Sequence, residues 1–563
     1  MLSKIHFLLF LGVTLSFFQP SFAQELSYIN YINIPPGSSQ QDIIEMAANL
    51  TPSPRQFDWQ QGELTAFIHF GMNTFTNMEW GDGTESPQLF NPSQLNTEQW
   101  VATCKNAGFK MIILTAKHHD GFCLWPSRYT EHSVKNSPWK NGQGDVVKEL
   151  SESCQKYNMK LGIYLSPWDR NSPYFGTDEY NDYFVSQLTE LLTDYGKISE
   201  VWLDGANGEG PDGKQQVYDV ARWYAAIRKL QPDAVIAIVG PDVRWVGTET
   251  GYGKETEWSI RAATFANRAE LDEQSPEEKA FIIASSSTGT LDNFTEEESM
   301  AWWPVEADVS IRPGWFYHPE EDDQVKTPEE LFDIYCSSVG RNGLLLLNVP
   351  PDTRGLIADK DIESLAGFKN IFSKTFAVNL LDDASVSRFE NTSGQGLLHN
   401  PLILEYTLPE MITFDLLQLQ EDIRTGQRIE SFKLEYEDGN TWKDIVEGTT
   451  VGYKRILRFD PVKARHIRFT VESSRLFPAL LTIGLYKQTD LNMRIDPVST
   501  GSFIFTKDNA LYVTTTCSGN LSVYDLSGKL RLSQTIPAGS SRFQMKKGIY
   551  IVAFNGIKQK IIL

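Results

Sequence analysis

The feature that most constrains the fold is a regular alternation of strand-like and helix-like blocks that begins near residue 66. Short apolar runs, such as residues 66–71 and 160–165, are each followed by a longer segment that contains a helix. In one such segment, residues 145–157, the apolar side chains recur close to helical spacing. Alternation of this kind is typical of βα units around a parallel sheet. The sequence therefore predicts an α/β fold.

Eight strands can be counted in this region. They are predicted at residues 66–71, 111–115, 160–165, 201–203, 234–239, 281–283, 308–311 and 344–349. The intervening helices are predicted at residues 97–107, 145–157, 178–195, 217–230 and 331–339. Eight units over roughly 300 residues match a TIM-like (β/α)8 barrel. The alternative, an open doubly wound sheet, has no GxGxxG motif after the first strand to support it.

The pattern changes after the barrel region. Helical spacing fades, and alternating runs such as residues 429–436 are followed by turn signals such as Asp438-Gly439. We expect a catalytic barrel over residues 24–372, a β-sandwich over 373–488 and a small all-β domain over 489–563.

The first 23 residues have the composition of a signal peptide. Lys4 precedes an apolar run over residues 7–18, and small residues precede Gln24. No later stretch reaches about 18 continuous apolar residues, so no membrane span is expected. The mature chain is therefore expected to be exported, to the periplasm or to the cell surface.

Charge and cysteine content exclude several function classes. The formal net charge is -21, so nucleic acid and anionic membrane surfaces are poor partners, since both require a basic surface. The 5 cysteines show no CxxC spacing. A zinc site or a disulfide framework is therefore not expected.

One carboxylate stands at a predicted strand end. Residues 201–203 form a short apolar strand, and Asp204 follows immediately, before the glycine-rich segment 205–208. Parallel α/β barrels build catalytic sites from residues at the carboxyl ends of strands. An Asp-Gly pair is also a common turn former, so this stretch alone leaves both interpretations open.

Three histidines, His69, His118 and His119, lie near the ends of the first two predicted strands. Clustered His and Asp residues can bind a metal, but adjacent residues on an extended segment point in opposite directions, so one of the pair at most would join a ligand set. The histidines could also hold the loop by hydrogen bonds. We favour hydrogen bonding to a hydroxylated ligand.

Further polar and aromatic residues follow predicted strands around the same rim. Glu79 and Trp80 follow the first strand, Tyr164 lies in the third and Trp315 follows the seventh. Any single one could serve packing alone. Barrel mouths, however, are where such groups converge on a ligand.

Glycoside hydrolysis by Asp204 requires a second carboxyl group. The candidates are Glu249, Glu255, Glu257 and Glu306, each of which could instead be a solvated loop acid. Glu249 is expected in the loop that leaves the fifth strand, next to the loop that carries Asp204. Spacing alone does not prefer it over Glu255 or Glu257.

Several motifs together resemble glycoside hydrolase family 29, the α-L-fucosidases. The matching segments are residues 67–71, 79–80, 117–122, 162–169, 201–205 and 340–348. The resemblance covers roughly residues 50 to 370. It implies a retaining mechanism with Asp204 as the nucleophile and with no metal or organic cofactor. It also implies that fucose is held by residues His69, Glu79, Trp80, His118, His119, Tyr164 and, more loosely, Trp315.

Segment 245–249 resembles the branch of that family that prefers α-1,3- or α-1,4-linked fucose, and in that branch Glu249 would be the acid/base. The region after residue 375 resembles galactose-binding-like or carbohydrate-binding modules. The last stretch, from about residue 492, resembles a C-terminal sorting domain. The expected partner is a fucosylated oligosaccharide or glycoconjugate. The alternatives are a non-catalytic glycan-binding protein and a retaining exo-glycosidase for another sugar.

Overall fold

A computed structural model describes residues 28–263, 299–390, 402–488 and, with short gaps, 503–562. Its first eleven strands are β1 (Tyr31–Asn33), β2 (Leu64–Ile68), β3 (Met111–Lys117), β4 (Lys160–Leu165), β5 (Glu200–Leu203), β6 (Val235–Ile238), β7 (Arg244–Trp245), β8 (Ile260–Ala263), β9 (Ser299–Trp302), β10 (Val305–Ser310) and β11 (Leu344–Asn348). The helices are α1 (Gln40–Asn49), α2 (Pro54–Gln60), α3 (Met72–Thr76), α4 (Thr97–Ala107), α5 (Val146–Tyr157), α6 (Asp178–Asp194), α7 (Val220–Leu230), α8 (Pro328–Ser338) and α9 (Asp359–Thr375).

Eight of these strands form one parallel sheet in the order β6-β5-β4-β3-β2-β11-β10-β7. An isolated parallel bridge between Ala237 and Val243 joins the two ends of this order, so the sheet is nearly closed. The predicted (β/α)8-type barrel is therefore confirmed. Strands β1, β9 and β8 form a separate antiparallel sheet that the sequence did not predict.

Local sequence signals explain the helix boundaries. Helix α4 begins after Asn96, whose side chain accepts a hydrogen bond from the Gln99 backbone N–H. It ends at Gly108, which has a positive φ of 107° that favours glycine. Helix α5 is capped in the same way by the Asp145 side chain. These caps are visible in the sequence, and both helices lie where they were predicted.

The sixth barrel strand differs from the prediction. The sequence suggested residues 281–283, which lie outside the described residues. In the structure the position between β6 and β10 is taken by β7, which is only two residues long and pairs with β10 through Arg244 and Val305. A two-residue strand is too short to show any periodicity, so it was assigned to a loop.

All-β sheets follow the barrel. One contains β12 (Ser385–Glu390), β13 (Leu402–Glu421), β14 (Ile429–Asp438), β15 (Thr441–Gly448), β16 (Arg455–Ser474) and β17 (Leu480–Tyr486). Two further sheets contain β18 (Phe503–Lys507), β19 (Ala510–Thr515), β20 (Gly519–Asp525), β21 (Leu530–Ile536), β22 (Gly539–Gln544), β23 (Ile549–Phe554) and β24 (Ile557–Ile562). These sheets confirm the all-β part of the predicted fold class, while the domain boundaries and the likeness to binding and sorting modules stay predictions.

The six-stranded sheet contacts the barrel directly. Lys454, just before β16, forms an ion pair with Glu63, just before β2. The Ile456 backbone N–H donates to Gly340 O over 2.8 Å, and Asn342 N–H donates to Lys454 O over 2.9 Å. The start of β16 is therefore fixed against the end of the barrel where strands β2 and β11 begin.

No helix in the described part of the chain combines the length and the apolar character needed to cross a membrane. Four of the cysteines, Cys104, Cys123, Cys154 and Cys336, are buried and unpaired, as expected for small buried hydrophobic side chains.

Candidate active site

The carboxyl ends of the barrel strands surround a cavity of about 650 Å³. Its wall includes all nine residues that the sequence singled out for the site. They are His69, Glu79, Trp80, His118, His119, Tyr164, Asp204, Glu249 and Trp315. The structure thus brings the whole predicted set together, while the role of each residue stays a prediction.

Asp204 follows β5 directly and is held by the barrel itself. The Tyr164 hydroxyl donates a hydrogen bond to Asp204 Oδ2 over 2.9 Å, and the Ala206 backbone N–H donates to Oδ1 over 2.8 Å. Burial raises the pKa of Tyr164 well above its usual value, and the charge of Asp204 raises it further, so this hydroxyl keeps its proton. Asp204 is therefore an oriented carboxylate with 26% of its side chain exposed to the cavity.

The three histidines are neutral near neutral pH. Burial lowers the pKa of His69 to about 3 and that of His118 well below its usual value. Burial also lowers the pKa of His119, although the negative charge of Asp204 opposes this shift. Neutral imidazole offers one donor and one acceptor nitrogen, a combination that suits recognition of hydroxyl groups.

Hydrogen bonds indicate which nitrogen of two rings carries the proton. His69 Nδ1 lies 2.8 Å from Asn348 Oδ1, an acceptor. His119 Nδ1 lies 2.7 Å from Ser166 Oγ, whose own hydrogen is donated to the Trp168 carbonyl. Both Nδ1 atoms must therefore donate, which leaves each Nε2 as an acceptor. His119 Nε2 is 3.9 Å from Asp204 Oδ2, too far for a hydrogen bond.

The adjacent histidines do not point in opposite directions. The rings of His118 and His119 lie 4.0 Å apart between centroids, and both line the cavity. The expectation of opposite directions was wrong because β3 ends at Lys117 and His119 already lies in a turn, which the hydrogen bond from Gly121 N–H to His118 O closes. Alternation of side chains holds only within an extended strand.

Glu79 binds the segment that carries Trp315. Its carboxylate accepts hydrogen bonds from the backbone N–H groups of Trp315 and Phe316 over 2.9 and 3.0 Å. The His318 ring also contacts it, with Nε2 2.7 Å from Oε1. Glu79 therefore joins the loop after β2 to the loop after β10, besides facing the cavity. Trp80 beside it is 57% exposed at the rim.

The structure separates the four candidate partner acids. Glu255 pairs with Arg341 and Arg455, and Glu257 forms a buried ion pair with Arg244. Glu306 lies inside the barrel, where it accepts a hydrogen bond from Trp202 Nε1 over 3.1 Å.

Of these four acids, Glu249 alone lines the cavity, and Trp315 Nε1 donates to its Oε2 over 3.3 Å. It follows β7 rather than leaving the fifth strand, so its predicted place in the barrel order was wrong by one strand.

Sequence reasoning missed two polar residues of the site. Asp308 lines the cavity from within β10, and Asn348 holds the His69 ring from β11. Asn348 is the last residue of β11, so a polar residue at the end of an apolar strand was the available signal, whereas Asp308 lies within β10 among other polar residues and had no such signal. Asn348 also donates to the Trp315 carbonyl over 2.7 Å, so it connects two predicted ligand-binding residues.

In the described part of the chain, no group of three or more His, Cys, Asp or Glu side chains is placed to hold a metal ion. The cavity combines four carboxyl groups, those of Glu79, Asp204, Glu249 and Asp308, with neutral imidazoles and indole rings. Such a site can bind a hydroxylated, uncharged ligand and carry out acid/base and nucleophilic chemistry on it.

Comparison with known families decides the assignment. The family model for α-L-fucosidases matches residues 53–371, which is more than half of the chain. The chain belongs to the α-L-fucosidase family. It is therefore a glycoside hydrolase of family 29, in agreement with the resemblance found in the sequence.

Members of this family from plants and bacteria are similar over most of the chain. Alpha-L-fucosidase 1 of Arabidopsis thaliana is 44% identical over 460 residues, which cover 77% of this chain and 87% of the relative. A crystal structure of a putative α-L-fucosidase from Bacteroides ovatus is 42% identical, with a TM-score of 0.75 and 95% of both chains covered. A Ruminococcus gnavus family 29 fucosidase in complex with fucose is 32% identical, with a TM-score of 0.68, covering 82% of this chain and 99% of that chain.

Proposed function

We propose that the protein is a retaining α-L-fucosidase that releases terminal L-fucose, with Asp204 as the nucleophile and Glu249 as the acid/base. The observation that carries the proposal is that these two carboxyl groups line one cavity with three neutral histidines. Family membership and the fucose complex of the Ruminococcus gnavus relative support the choice of sugar.

In the first step an Asp204 oxygen attacks the anomeric carbon of fucose and forms an ester bond to the sugar. The bond from that carbon to the leaving oxygen breaks, and Glu249 gives its proton to the leaving oxygen. In the second step ionised Glu249 takes a proton from water, the water oxygen bonds to the anomeric carbon, and the ester bond to Asp204 breaks. Both carboxyl groups end in their starting protonation states.

The surroundings of each residue suit its role. Asp204 receives two hydrogen bonds that fix the direction of its carboxyl group. The neutral Nε2 atoms of His69 and His119 can accept hydrogen bonds from sugar hydroxyl groups. Because Glu249 is at the exposed side of the cavity, it is accessible to a leaving oxygen and then to water.

The test compares two substrates, an aryl α-L-fucoside with an activated leaving group and a fucosylated oligosaccharide. Asp204→Ala should abolish turnover of both, and azide should partly restore it by attacking in place of the carboxylate. Glu249→Ala should lower turnover of the oligosaccharide far more than turnover of the aryl fucoside, because only the poor leaving group of the oligosaccharide needs a proton.

A matched control is Glu209→Gln, which changes an exposed acid on the loop that follows Asp204. Turnover near the wild-type level in Asp204→Ala contradicts the proposal. Should Glu257→Ala show the leaving-group dependence instead of Glu249→Ala, the acid/base assignment is wrong.

For the linkage, we propose α-1,3- and α-1,4-linked fucose on branched glycans, supported by the likeness of segment 245–249 to that branch of the family. Product analysis on isomeric α-1,2-, α-1,3- and α-1,4-fucosylated oligosaccharides tests it. Preferential release from the α-1,2 isomer contradicts it.

We also propose export, supported by the signal-like composition of the first 23 residues. The mature protein recovered from outside the cytoplasm should begin near Gln24. An uncleaved protein that stays in the cytoplasm contradicts export.

A further inference from the structure

The carboxyl group of Asp308 lies in the cavity wall with those of Glu79, Asp204 and Glu249. It is buried, with 4% of the residue exposed. Its Oδ1 accepts a hydrogen bond of 2.7 Å from the indole Nε1 of Trp245. This contact joins β10, which carries Asp308, to β7, which carries Trp245.

Strand β7 is the point from which the Glu249 loop departs. Two backbone hydrogen bonds hold this part of the chain against β10, one from Arg244 N–H to Pro304 O, just before β10, over 3.0 Å, and one from Val246 N–H, just after β7, to Glu306 O over 2.9 Å. Such a short strand offers few backbone bonds to define its direction. The Trp245–Asp308 bond adds a side-chain anchor four residues before Glu249.

Glu249 itself has little direct support. It is exposed, and its side chain accepts the 3.3 Å hydrogen bond from Trp315. The direction in which the loop leaves β7 therefore decides where the carboxyl group of Glu249 stands relative to a leaving oxygen. Small displacements matter here, since proton transfer requires hydrogen-bond reach.

We propose that Asp308 is a positioning residue for the acid/base step, which it serves by fixing the indole of Trp245 and thereby the start of the Glu249 loop. The inference rests on the proposed roles of Asp204 and Glu249 and deepens them. Asp308 acts through Trp245 on Glu249 and does not itself transfer a proton to the leaving oxygen.

The surroundings of Asp308 show which substitution preserves its function. Burial raises its pKa to about 7, the Trp245 hydrogen bond opposes this shift, and the charges of Glu249 and Asp204 add to it. Glu306, on the same strand, is a further acid nearby. Asparagine is neutral, has nearly the same shape and retains an oxygen that can accept the indole hydrogen bond.

The experiment measures kcat for an activated aryl α-L-fucoside and for a fucosylated oligosaccharide in wild type, Asp308→Asn, Asp308→Leu and Trp245→Phe. Asp308→Leu should lower oligosaccharide turnover by about 10- to 50-fold and aryl turnover by less than about 3-fold, because activated leaving groups need no proton. Asp308→Asn should stay within about 3-fold of wild type on both substrates.

Trp245→Phe removes the same hydrogen bond from the other side and should lower the oligosaccharide rate selectively. Its effect should not multiply with that of Asp308→Leu in the double variant, because the two changes break one contact. A matched control is Asp120→Asn, a buried acid whose pKa is also raised to about 7 but whose side chain bonds Phe122 N–H in another loop. Any loss it causes should affect both substrates equally.

Multiplying effects in the double variant overturn the proposal, as does an Asp308→Asn variant that is as inactive on the oligosaccharide as Asp308→Leu. The two conservative variants decide the question even where the leucine variant does not fold. If wild type releases no fucose from the aryl substrate, the proposed function fails, and the role of Asp308 fails with it. If wild type is active and Trp245→Phe shows no selective loss, the role of Asp308 alone is overturned.

Discussion

The two sides of the cavity are built in different ways. Asp204 receives hydrogen bonds from a neighbouring barrel strand and from its own turn, through Tyr164 and Ala206. Glu249 lies on an exposed loop, and the contacts that hold this loop come from distant parts of the chain. The Asp204 side is thus determined by local geometry at strand ends. The Glu249 side instead depends on contacts with residues that are far away in the sequence.

The far end of the Glu249 loop is held by the six-stranded all-β sheet. Arg455 donates to Glu255 O and Oε2 over 2.8 and 3.0 Å. Gln427 accepts from Ser259 N–H over 2.8 Å. Between these contacts and Glu249 the chain turns at Gly251, whose φ of 77° and close approach to Val309 leave no room for a side chain. The sheet after the barrel therefore contributes to the shape of the active-site rim.

The largest effect is expected when the direct support of Asp204 is removed. Tyr164→Phe deletes the hydroxyl that orients Oδ2, and hydrogen bonds to charged groups contribute about 1.5–3 kcal/mol, so kcat should fall about 10- to 100-fold. The loss should be similar for aryl and oligosaccharide substrates, because both require the nucleophile.

Tyr180→Phe is the matched control for this change. It removes a buried tyrosine hydroxyl that bonds Pro167 O over 2.7 Å. It should lower Tm without a comparable loss of kcat. Equal losses of kcat in Tyr164→Phe and Tyr180→Phe would contradict a specific role of the Tyr164 hydroxyl in supporting Asp204.

A smaller and more selective effect is expected from the distant support of Glu249. Arg455→Met removes the charged hydrogen bonds to Glu255, so oligosaccharide turnover should fall by about 3- to 10-fold, with a smaller change for an aryl fucoside. The ratio of the two rates is the quantity to measure.

Arg468→Met provides the control for that variant. Arg468 lies on the same strand, β16, but pairs with Glu435 inside the all-β sheet. It should lower the free energy of unfolding without changing the ratio of the two rates. A changed ratio in Arg468→Met, or an unchanged ratio in Arg455→Met, contradicts a link between the sheet and Glu249.

The smallest expected effect is on stability. It concerns the barrel interior below the cavity, where residues from both sides lie close together. Glu200 on β5 and Glu306 on β10 are both buried and influence each other's pKa, and Trp59 Nε1 donates to Glu200 Oε2 over 2.9 Å. Burial raises the pKa of Glu200 from its usual 4.5 to about 8. The folded state therefore binds this proton more tightly, so the contribution to the free energy of unfolding is greatest below pH 4.5 and falls as the pH rises towards 8.

Glu200→Gln removes this titration. The free energy of unfolding is measured with urea at pH 5 and at pH 8. Its decrease between these pH values should be smaller in the variant than in wild type by about 1–3 kcal/mol. Asp58→Asn, a change of an exposed acid on α2, should follow the wild-type dependence. A variant that loses as much stability as wild type contradicts a raised pKa of Glu200 in the folded protein.

Prediction from the sequence succeeded where a segment carried its own signal. The bounds of α4 and β4 agree with the predicted ones because caps, apolar spacing and length are local properties. It failed at β7, where two residues carry no period, and at His118-His119, where a turn cancels the alternation of a strand. The site residues were found because they stand beside strand ends, which the sequence locates.

The choice among the acids shows where sequence reasoning ends. Glu249, Glu255 and Glu257 lie within nine residues of one another and differ by nothing that spacing can measure. Their side chains nevertheless lie in the cavity, at the all-β sheet and in a buried ion pair with Arg244, respectively. Asp308 was not predicted as a site residue for a related reason. It lies inside a strand, and its proposed role depends on its hydrogen bond with Trp245, which the sequence does not show.

By itself the sequence determined the parallel barrel, the strand end that presents Asp204 and the ring of histidines and aromatic residues, because these depend on periodicity and on order along the chain. The tertiary structure alone decided which acid faces Asp204, that both adjacent histidines line one cavity and that Asp308 and the all-β sheet support the Glu249 loop. Those contacts join residues up to 200 positions apart, as between Glu255 and Arg455, and only the folding of the chain brings such residues within hydrogen-bond distance.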